Sequence, residues 1–181
     1  MPISRDARPN PRPFSQGLYN LSRRKKPRKP MLDTNTFIAS TRQKFGPSIL
    51  NVEVKSETRA TLSIEPKVLL NISNFLYSYL NFRFIIASAM HTRRGFEIYY
   101  HFSNDPAGLV LNLHVVLPED KPEIESLANT FDGANWIERE MHELFGITFL
   151  NHPEPEPLLS EGNWALGVYP YRKDGKELKK E

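Results

Sequence analysis

Two neighbouring segments have an apolar residue at every second position, a period that indicates β-strands. Every second residue is apolar over residues 96–102 and 109–117, namely Phe96, Ile98, Tyr100, Phe102, Leu109, Leu111, Leu113, Val115 and Leu117. Successive side chains of a strand point to opposite faces of the sheet, so this period of two predicts one buried and one polar face. The intervening residues 103–108 include Asn, Asp, Pro and Gly, which favour a turn. The chain must therefore build its core on one face of a sheet.

Three further strands are predicted around this pair. Two short segments alternate in the same way on either side of a turn at residues 56–58, which predicts a hairpin with Leu50, Val52, Val54, Ala60, Leu62 and Ile64 facing inward. Residues 82–90 are apolar on both alternating faces, a pattern typical of a strand in the centre of a sheet. A turn at residues 92–95 connects this run to the strand at 96–102.

Two helices are predicted in the first half of the chain. The first begins at Asp33 or Thr34 and ends at Gly46-Pro47, because proline disfavours a helical conformation in the residue before it. Its apolar residues are Phe37, Ile38 and Phe45. The second begins at Pro66 and has apolar residues at helical spacing, namely Leu69, Ile72, Leu76, Tyr79 and Leu80.

Two more helices are predicted after Pro118, a short one around residues 123–131 and a longer one over residues 134–145. The longer helix has an apolar stripe for the core and charged residues largely on its other face, so we expect exposed side chains that pair at a spacing of four, Glu138 with His142 and Arg139 with Glu143. Asn135 and Glu138 have the spacing of a capping box, and Gly146 is placed to end the helix in a left-handed turn.

The order of elements predicts an α+β fold. Helix, two strands, helix, three strands and two helices favour a two-layer domain with a mixed, mainly antiparallel sheet and helices largely on one face. We expect this domain over residues 31–150. A basic, proline-rich flexible extension at residues 1–30 precedes it, and a long irregular docking segment at residues 151–181 follows it.

Positive charge is concentrated in the extension, which carries nine Lys or Arg and one acid, Asp6. The formal net charge of the chain is +3, so an extension at +8 leaves −5 on the remaining residues. The basic run at residues 23–29 suggests binding to nucleic acid, attraction to an anionic membrane surface, or folding on an acidic neighbouring subunit. The acidic body and the lack of a recognition motif argue against nucleic acid.

The sequence lacks the residues that several kinds of chemistry require. The chain has no cysteine, so on its own it cannot form a disulfide, an iron–sulfur cluster or a thiolate zinc site. No glycine-rich phosphate loop is present, which argues against the usual kinds of nucleotide binding. The most apolar window, residues 84–90, is too short to span a bilayer, and we expect a soluble chain.

Histidines supply the remaining candidates for chemistry. His142 and His152, with a nearby carboxylate, could hold a metal, although a zincin helix needs a second histidine where Gly146 stands. His101, His114 and His91 have no accompanying nucleophile, and we expect half-exposed sheet residues. An independent small enzyme built on His142 and His152 stays an alternative, which metal analysis of the isolated chain would test.

The most specific pattern lies toward the C-terminal end. It comprises Trp136, Glu138-Arg139-Glu140, Leu144-Phe145-Gly146-Ile147, Phe149, His152-Pro153, Leu158-Leu159 and Arg172-Lys173-Asp174. This pattern resembles the thirty-kilodalton (NuoC-type) subunit of complex I. That family is shared with the small partner subunits of group 4 membrane-bound nickel–iron hydrogenases and related energy-converting complexes. The element order from Asp33 agrees with the α+β domain of the family.

The resemblance implies a scaffold subunit in the hydrophilic arm of a membrane-bound oxidoreductase, peripheral on the cytoplasmic side of the cell membrane. Such a subunit packs against a large catalytic, NuoD-like subunit and has no cofactor of its own. The nickel–iron centre and the iron–sulfur clusters lie in partner subunits, and the complex also has membrane-arm subunits. The positions implied in docking are Glu138, Arg139, Glu140, Phe145, Gly146, His152, Pro153, Arg172, Lys173 and Asp174.

Three positions depart from the usual complex I pattern. Glu154 follows Pro153 where an aspartate is common, Gly175 follows Asp174 in place of an aromatic residue, and His142 stands where tryptophan is common. These departures favour the hydrogenase-like branch. A NuoC subunit of an NADH- or quinone-type complex I and a subunit of a sulfur-reducing relative stay alternatives, so the electron acceptor is left open among protons, quinone and a sulfur compound.

Overall fold

The computed structural model describes residues 33–159, 165 and 167–173, and the predicted extension at residues 1–30 lies outside them. The order of elements is α1 (Thr34–Phe45), β1 (Ile49–Ser56), β2 (Arg59–Ile64), α2 (Leu69–Leu80), β3 (Arg83–Thr92), β4 (Gly95–Asn104), β5 (Leu109–Leu117), β6 (Glu123–Glu125), α3 (Asp132–Phe145) and β7 (Thr148–Leu150). None of the helices in this part of the chain has the length and apolar character needed to cross a bilayer.

Five strands form the main sheet, in the order β1-β2-β5-β4-β3. The pairing of β2 with β5 is parallel, and the other three pairings are antiparallel. The predicted α+β fold with a mixed, mainly antiparallel sheet is therefore confirmed. The parallel pair arises because α2 and the β3–β4 hairpin intervene between β2 and β5 in sequence.

The core lies on the face of the sheet that the alternating residues predict. All nine alternating apolar positions at residues 96–102 and 109–117 are buried, and residues of α1, α2 and α3 complete the same cluster. Phe37 of α1 meets Phe82 edge to face, with ring centroids 5.0 Å apart. Helix α1 begins as predicted, because the Oδ1 atom of Asp33 accepts a hydrogen bond of 2.9 Å from the amide of Thr36.

The predicted central position of residues 82–90 is wrong, because β3 is an edge strand and β5 lies at the centre. Ile85, Ile86 and Met90 are exposed. An apolar run indicates that both faces of a strand carry apolar residues, but it does not indicate how many neighbouring strands pair with that strand. A register irregularity between Phe84 and Ile86 is typical of an edge strand.

Two predicted inward positions of β1 and one of α2 are also wrong. Leu50 is 66% exposed, Val54 is exposed, and Tyr79 lies outside the core. Strand β1 is the other edge of the sheet and has two register irregularities, so its side chains are only partly covered. Tyr79 instead stacks on Phe75, with ring centroids 5.5 Å apart.

The short helix predicted around residues 123–131 does not form. Residues Glu123–Glu125 are the strand β6, which pairs in parallel with β7 and buries Ile124. A turn follows, in which the carbonyl of Leu127 accepts from the amides of Thr130 and Phe131, each at 2.9 Å. The pairing partner of β6 lies more than twenty residues away in sequence, so local periodicity carries no sign of it.

Candidate docking site on helix α3 and the C-terminal segment

Helix α3 ends at Gly146 in the predicted left-handed turn, with a φ of 72°. The amide of Gly146 donates to the carbonyl of His142 at 2.8 Å. A Cβ atom at this position would lie 2.6 Å from the Tyr169 ring, closer than side chains tolerate. Glycine is therefore required twice here, for the backbone conformation and for the close approach of the C-terminal segment.

Glu138 is fully buried, so its predicted place on an exposed face is wrong. Its carboxylate accepts a hydrogen bond of 2.5 Å from the Ser126 hydroxyl and one of 2.8 Å from the Leu127 amide. The predicted capping box with Asn135 does not form, because the N-cap of α3 is Phe131 and lacks a side-chain cap. Burial raises the pKa of Glu138 to about 7, against the two hydrogen bonds, which lower it.

His152 covers Glu138 from the loop that follows β7. Its Nε2 atom lies 3.8 Å from the Oε2 atom of Glu138 and 3.2 Å from the carbonyl oxygen of Asn135. Its Nδ1 atom accepts from the amide of Glu154 at 3.0 Å, so the ring proton of the neutral imidazole lies on Nε2. Burial and the charge of Glu138 also raise the pKa of Tyr100 well above its ordinary value.

A cavity of about 60 Å³ lies beside this pair, lined by Glu138, Arg139, His142, Thr148, Phe149, His152 and Pro155. The cavity is large enough for ordered water, and the two polar groups could hydrogen-bond to it. The Nδ1 atom of His142 donates to the carbonyl of Ile147 at 2.8 Å, so His142 does not pair with Glu138. Over residues 33–159, 165 and 167–173, no three potential ligands are grouped to hold a metal.

Arg139 and Glu143 fix the loop at residues 154–159 on α3. The guanidinium of Arg139 donates to the carbonyl oxygens of Glu156 at 2.8 Å and Pro157 at 2.9 Å, and it lies 3.4 Å from the Oε2 atom of Glu154. The Glu143 carboxylate accepts from the amides of Leu158 and Leu159. The loop lacks the backbone hydrogen bonds of a helix or strand, and these two charged side chains of α3 bond to its backbone groups in their place.

The returning residues 167–173 contact the end of α3 and the β3–β4 hairpin. The amide of Tyr171 donates to the carbonyl of Leu144 at 3.0 Å, and the Tyr171 ring meets the buried Phe145 edge to face. The guanidinium of Arg172 lies over the Phe96 ring, 5.0 Å from its centroid. The structure therefore brings the segment at Arg172 to Phe145 of α3, although the two lie far apart in sequence.

His91 is a position that sequence reasoning misjudges, because it is buried and not half-exposed. Its ring stacks on Phe96, with centroids 4.5 Å apart. Its Nδ1 atom accepts from the amide of Lys173 at 2.9 Å, so Nε2 donates to the Glu119 carboxylate at 2.8 Å. Its position beside an arginine-rich turn gives no sign of a contact with a residue 82 positions later in sequence.

The remaining positions implied in docking are less engaged. Glu140 is half-buried and Pro153 is exposed, while Asp174 lies outside the described residues. Glu143 and Asn135 belong to the same site but are not among the positions that the resemblance implies. The Nδ2 atom of Asn135 donates to Glu154 at 3.3 Å. The sequence contains one indication of Glu143. It lies four residues after Arg139, so the two side chains share a face of α3, and an acid there can accept hydrogen bonds from free backbone amides of a loop.

The other two histidines lie on the opposite face of the sheet. His101 is half-exposed, as predicted, but His114 is buried and that prediction is wrong. His114 donates through Nε2 to Glu97 at 2.9 Å, and its Nδ1 atom lies 3.0 Å from the Ser63 hydroxyl. Burial raises the pKa of Glu97, but hydrogen bonds from Thr92, Arg94 and His114 bring it below its ordinary value. These bonds satisfy the histidine within the sheet.

Comparison with known families decides which family the chain comes from. Residues 62–181, which include the second half of β2, all later elements and the C-terminal segment, match the family model described as the 30 kDa subunit of respiratory-chain NADH dehydrogenase. The chain belongs to this family. The resemblance carried by the pattern at residues 134–174 is confirmed, and the chain is a subunit of a complex I-like or related respiratory complex.

Relatives of this chain in the 30 kDa family are subunits of more than one kind of complex. The chain is 34% identical to an F420H2 dehydrogenase subunit of Methanosarcina mazei, a match that covers 79% of this chain and 92% of the relative. It is 29% identical to an NADH-quinone oxidoreductase subunit of Geobacter metallireducens, over 80% of this chain and 90% of the relative.

Solved structures share the fold of this 30 kDa subunit. A chain of an archaeal membrane-bound sulfane sulfur reductase has a TM-score of 0.64 and 22% identity, over 80% of this chain and 86% of that chain. A trypsin-resistant fragment of Nqo5 has a TM-score of 0.54 and 18% identity, over 66% of this chain and 97% of that chain.

Proposed function

We propose that this chain is a non-catalytic scaffold subunit in the hydrophilic arm of a membrane-bound, complex I-related oxidoreductase. In this role it docks on the large catalytic, NuoD-like subunit through α3 and the C-terminal segment. It supports electron transfer, coupled to ion translocation, that takes place in partner subunits. The observation that carries the proposal is the anchoring of the segment after β7 on α3, in which Arg139 and His152 belong to the family pattern.

The bonding at α3 supports a scaffold more than a catalyst. Arg139 donates hydrogen bonds to the backbone of its own chain, and Glu138, Glu143 and His152 accept hydrogen bonds from backbone amides. These side chains hold the loop at residues 154–159 on α3, and ordering a loop before a partner binds favours association.

The cofactors belong to the partners in this proposal. This chain holds none, and the nickel–iron centre and iron–sulfur clusters lie in the large subunit and in iron–sulfur subunits of the same complex. The lack of cysteine supports this division of labour, because iron–sulfur clusters are held mainly by cysteine thiolates.

The branch of the family is a finer part of the proposal. The departures at Glu154, Gly175 and His142 favour a hydrogenase-like complex, whereas the 34% identity to an F420H2 dehydrogenase subunit favours a dehydrogenase. The NADH-quinone relatives and the sulfane sulfur reductase fold keep a quinone and a sulfur compound among the acceptors. Nickel bound to the co-purifying large subunit would select the hydrogenase-like branch.

The proposed location is peripheral, on the cytoplasmic side of the cell membrane. The extension at residues 1–30 would contact either an anionic membrane surface or an acidic neighbouring subunit of the membrane arm. Either use accounts for +8 charges on a chain whose other residues sum to −5.

Affinity purification of the tagged chain from solubilised membranes tests the proposal. We expect the large subunit and the iron–sulfur subunits to co-purify in fixed ratios, with metal in those partners and none in this chain after separation. Recovery of the chain alone, or of metal bound to the separated chain, would contradict the scaffold role.

A further inference from the structure

The loop at residues 152–159 lacks regular secondary structure, yet its backbone is fixed at several points. Arg139 holds two of its carbonyl oxygens, and Glu143 holds the amides of Leu158 and Leu159. Pro153, Pro155 and Pro157 each restrict φ and narrow the conformations that the loop can reach. The loop therefore presents its outward side chains in a set geometry before any partner binds.

Leu159 is a large apolar side chain that this loop presents to solvent. It is 61% exposed, while its amide lies 3.1 and 2.9 Å from the two oxygens of the Glu143 carboxylate. Single exposed leucines are common on protein surfaces and carry no information alone. Here, however, two charged residues of α3 fix the backbone from which the leucine projects.

The loop that carries Leu159 also carries two exposed acids. Glu154 and Glu156 are exposed on the same loop. The carboxylate of Glu154 has Arg139 on one side at 3.4 Å, and its side chain is 62% exposed. An exposed apolar side chain on a loop that also carries exposed negative charge offers the two components of an interface, an apolar anchor and a charged rim.

We propose that Leu159 is the anchor of this loop and inserts into an apolar pocket of a protein partner, with basic side chains at the pocket rim facing Glu154 and Glu156. The inference rests on the proposed function, which makes the large catalytic subunit that partner. Glu143 and Arg139 act as positioning residues, because they hold the backbone and leave the leucine exposed. A few well-placed anchors carry most of the affinity of an interface, and fixing them in advance reduces the entropy lost on binding.

A competition for assembly in the host tests the anchor. Tagged variants are co-expressed with the untagged wild-type chain, and the share of each in the purified complex is measured by quantitative mass spectrometry. We expect Leu159→Ala to lower the variant's share about tenfold or more relative to tagged wild type. Leu50→Ala is the matched control, since Leu50 is a leucine of similar exposure on β1, and its share should equal that of wild type.

Glu143→Gln keeps the leucine and removes the charge that fixes the loop. We expect this variant to exchange the amide hydrogen of Leu159 faster and to lose share in the complex. The double variant with Leu159→Ala should lose no more than Leu159→Ala alone, because both changes act through the same anchor. Additive losses would overturn the link between Glu143 and Leu159.

The outcomes separate this inference from the proposed function. If the tagged wild-type chain fails to bring down the large subunit, the proposed function fails and the anchor fails with it. If the wild-type chain brings down the large subunit and Leu159→Ala competes as well as Leu50→Ala, the anchor alone is overturned.

Discussion

The Nε2 atom of His152 lies 3.8 Å from the Oε2 atom of Glu138, and both side chains are buried. This contact joins the middle of α3 to the loop that follows β7. Glu138 also binds Ser126 and Leu127, so one carboxyl group connects three segments that are irregular or helical. A buried acid in such a place makes folding sensitive to pH.

Glu138→Gln should remove a pH dependence of stability. The pKa of Glu138 is about 7 in the folded chain, against an ordinary value of 4.5, so between these values the folded chain binds the extra proton. The free energy of unfolding therefore falls as pH rises from about 4.5 to 7, by about 3 kcal/mol at most. We expect Glu138→Gln to flatten this part of the curve in denaturant titrations.

Glu140→Gln provides the control for that measurement. It removes a carboxylate from the same helix at a half-buried position, and the fall in stability over this pH range should persist. A wild-type curve that is flat from pH 4.5 to 7 would show that Glu138 titrates as an ordinary exposed acid.

Gly146→Ala should destabilise the chain more than Gly108→Ala. Both glycines have positive φ, 72° and 66°, so each substitution incurs a backbone cost of about 1 kcal/mol. Only at Gly146 does the new Cβ meet the Tyr169 ring, whereas nothing lies within 4 Å at Gly108. Thermal unfolding measures both, and equal losses would argue against the packing of Tyr169 on this turn.

Arg139→Ala and Arg172→Ala should weaken assembly more than they weaken the chain itself. In the isolated chain, loss of the Arg139 bonds to Glu156 and Pro157 is expected to cost about 1 to 2 kcal/mol and to speed amide exchange at Leu158 and Leu159. Arg83→Ala is the control, because its ion pair with Asp105 lies on the exposed surface. If both Arg139→Ala and Arg172→Ala assembled with normal stoichiometry and activity, the docking assignment would be wrong.

Deletion of residues 2–30 should release the complex from one of its contacts. We expect weaker retention on membranes, or loss of a neighbouring subunit, after mild detergent extraction, since the deleted segment carries eight net positive charges. The measurement is the set of proteins in the complex before and after extraction. If the deletion changed neither the set of proteins in the complex nor the membrane-bound fraction, the extension would have no role in assembly.

Most of the fold could be predicted because its elements have clear periods. Strands β4 and β5 have an apolar residue at every second position, and α3 is amphipathic and ends at a glycine, so both patterns appear within a few residues. Periodicity does not give the position of a strand within the sheet. Residues 82–90 look central because apolar residues occupy both alternating faces, yet pairing partners, which periodicity does not encode, place β3 at the edge.

The site was only partly predictable for a related reason. The sequence pattern located the right helix, but it indicated that Glu138 is solvated and that Arg139 pairs along the helix. The actual partners of Glu138 are Ser126 and Leu127 in an irregular turn, and those of Arg139 include carbonyl oxygens of the following loop. His91 shows the same limit, since its partner at Lys173 lies 82 residues away.

Chemical cross-linking of lysines in the purified complex tests the docking claim most directly. Lys173 is exposed on the returning segment, whereas the exposed Lys55 and Lys67 lie on β1 and before α2. We expect Lys173 to cross-link to the large catalytic subunit, whereas Lys55 and Lys67 should not. Cross-links to the large subunit from Lys55 and Lys67, with none from Lys173, would contradict it.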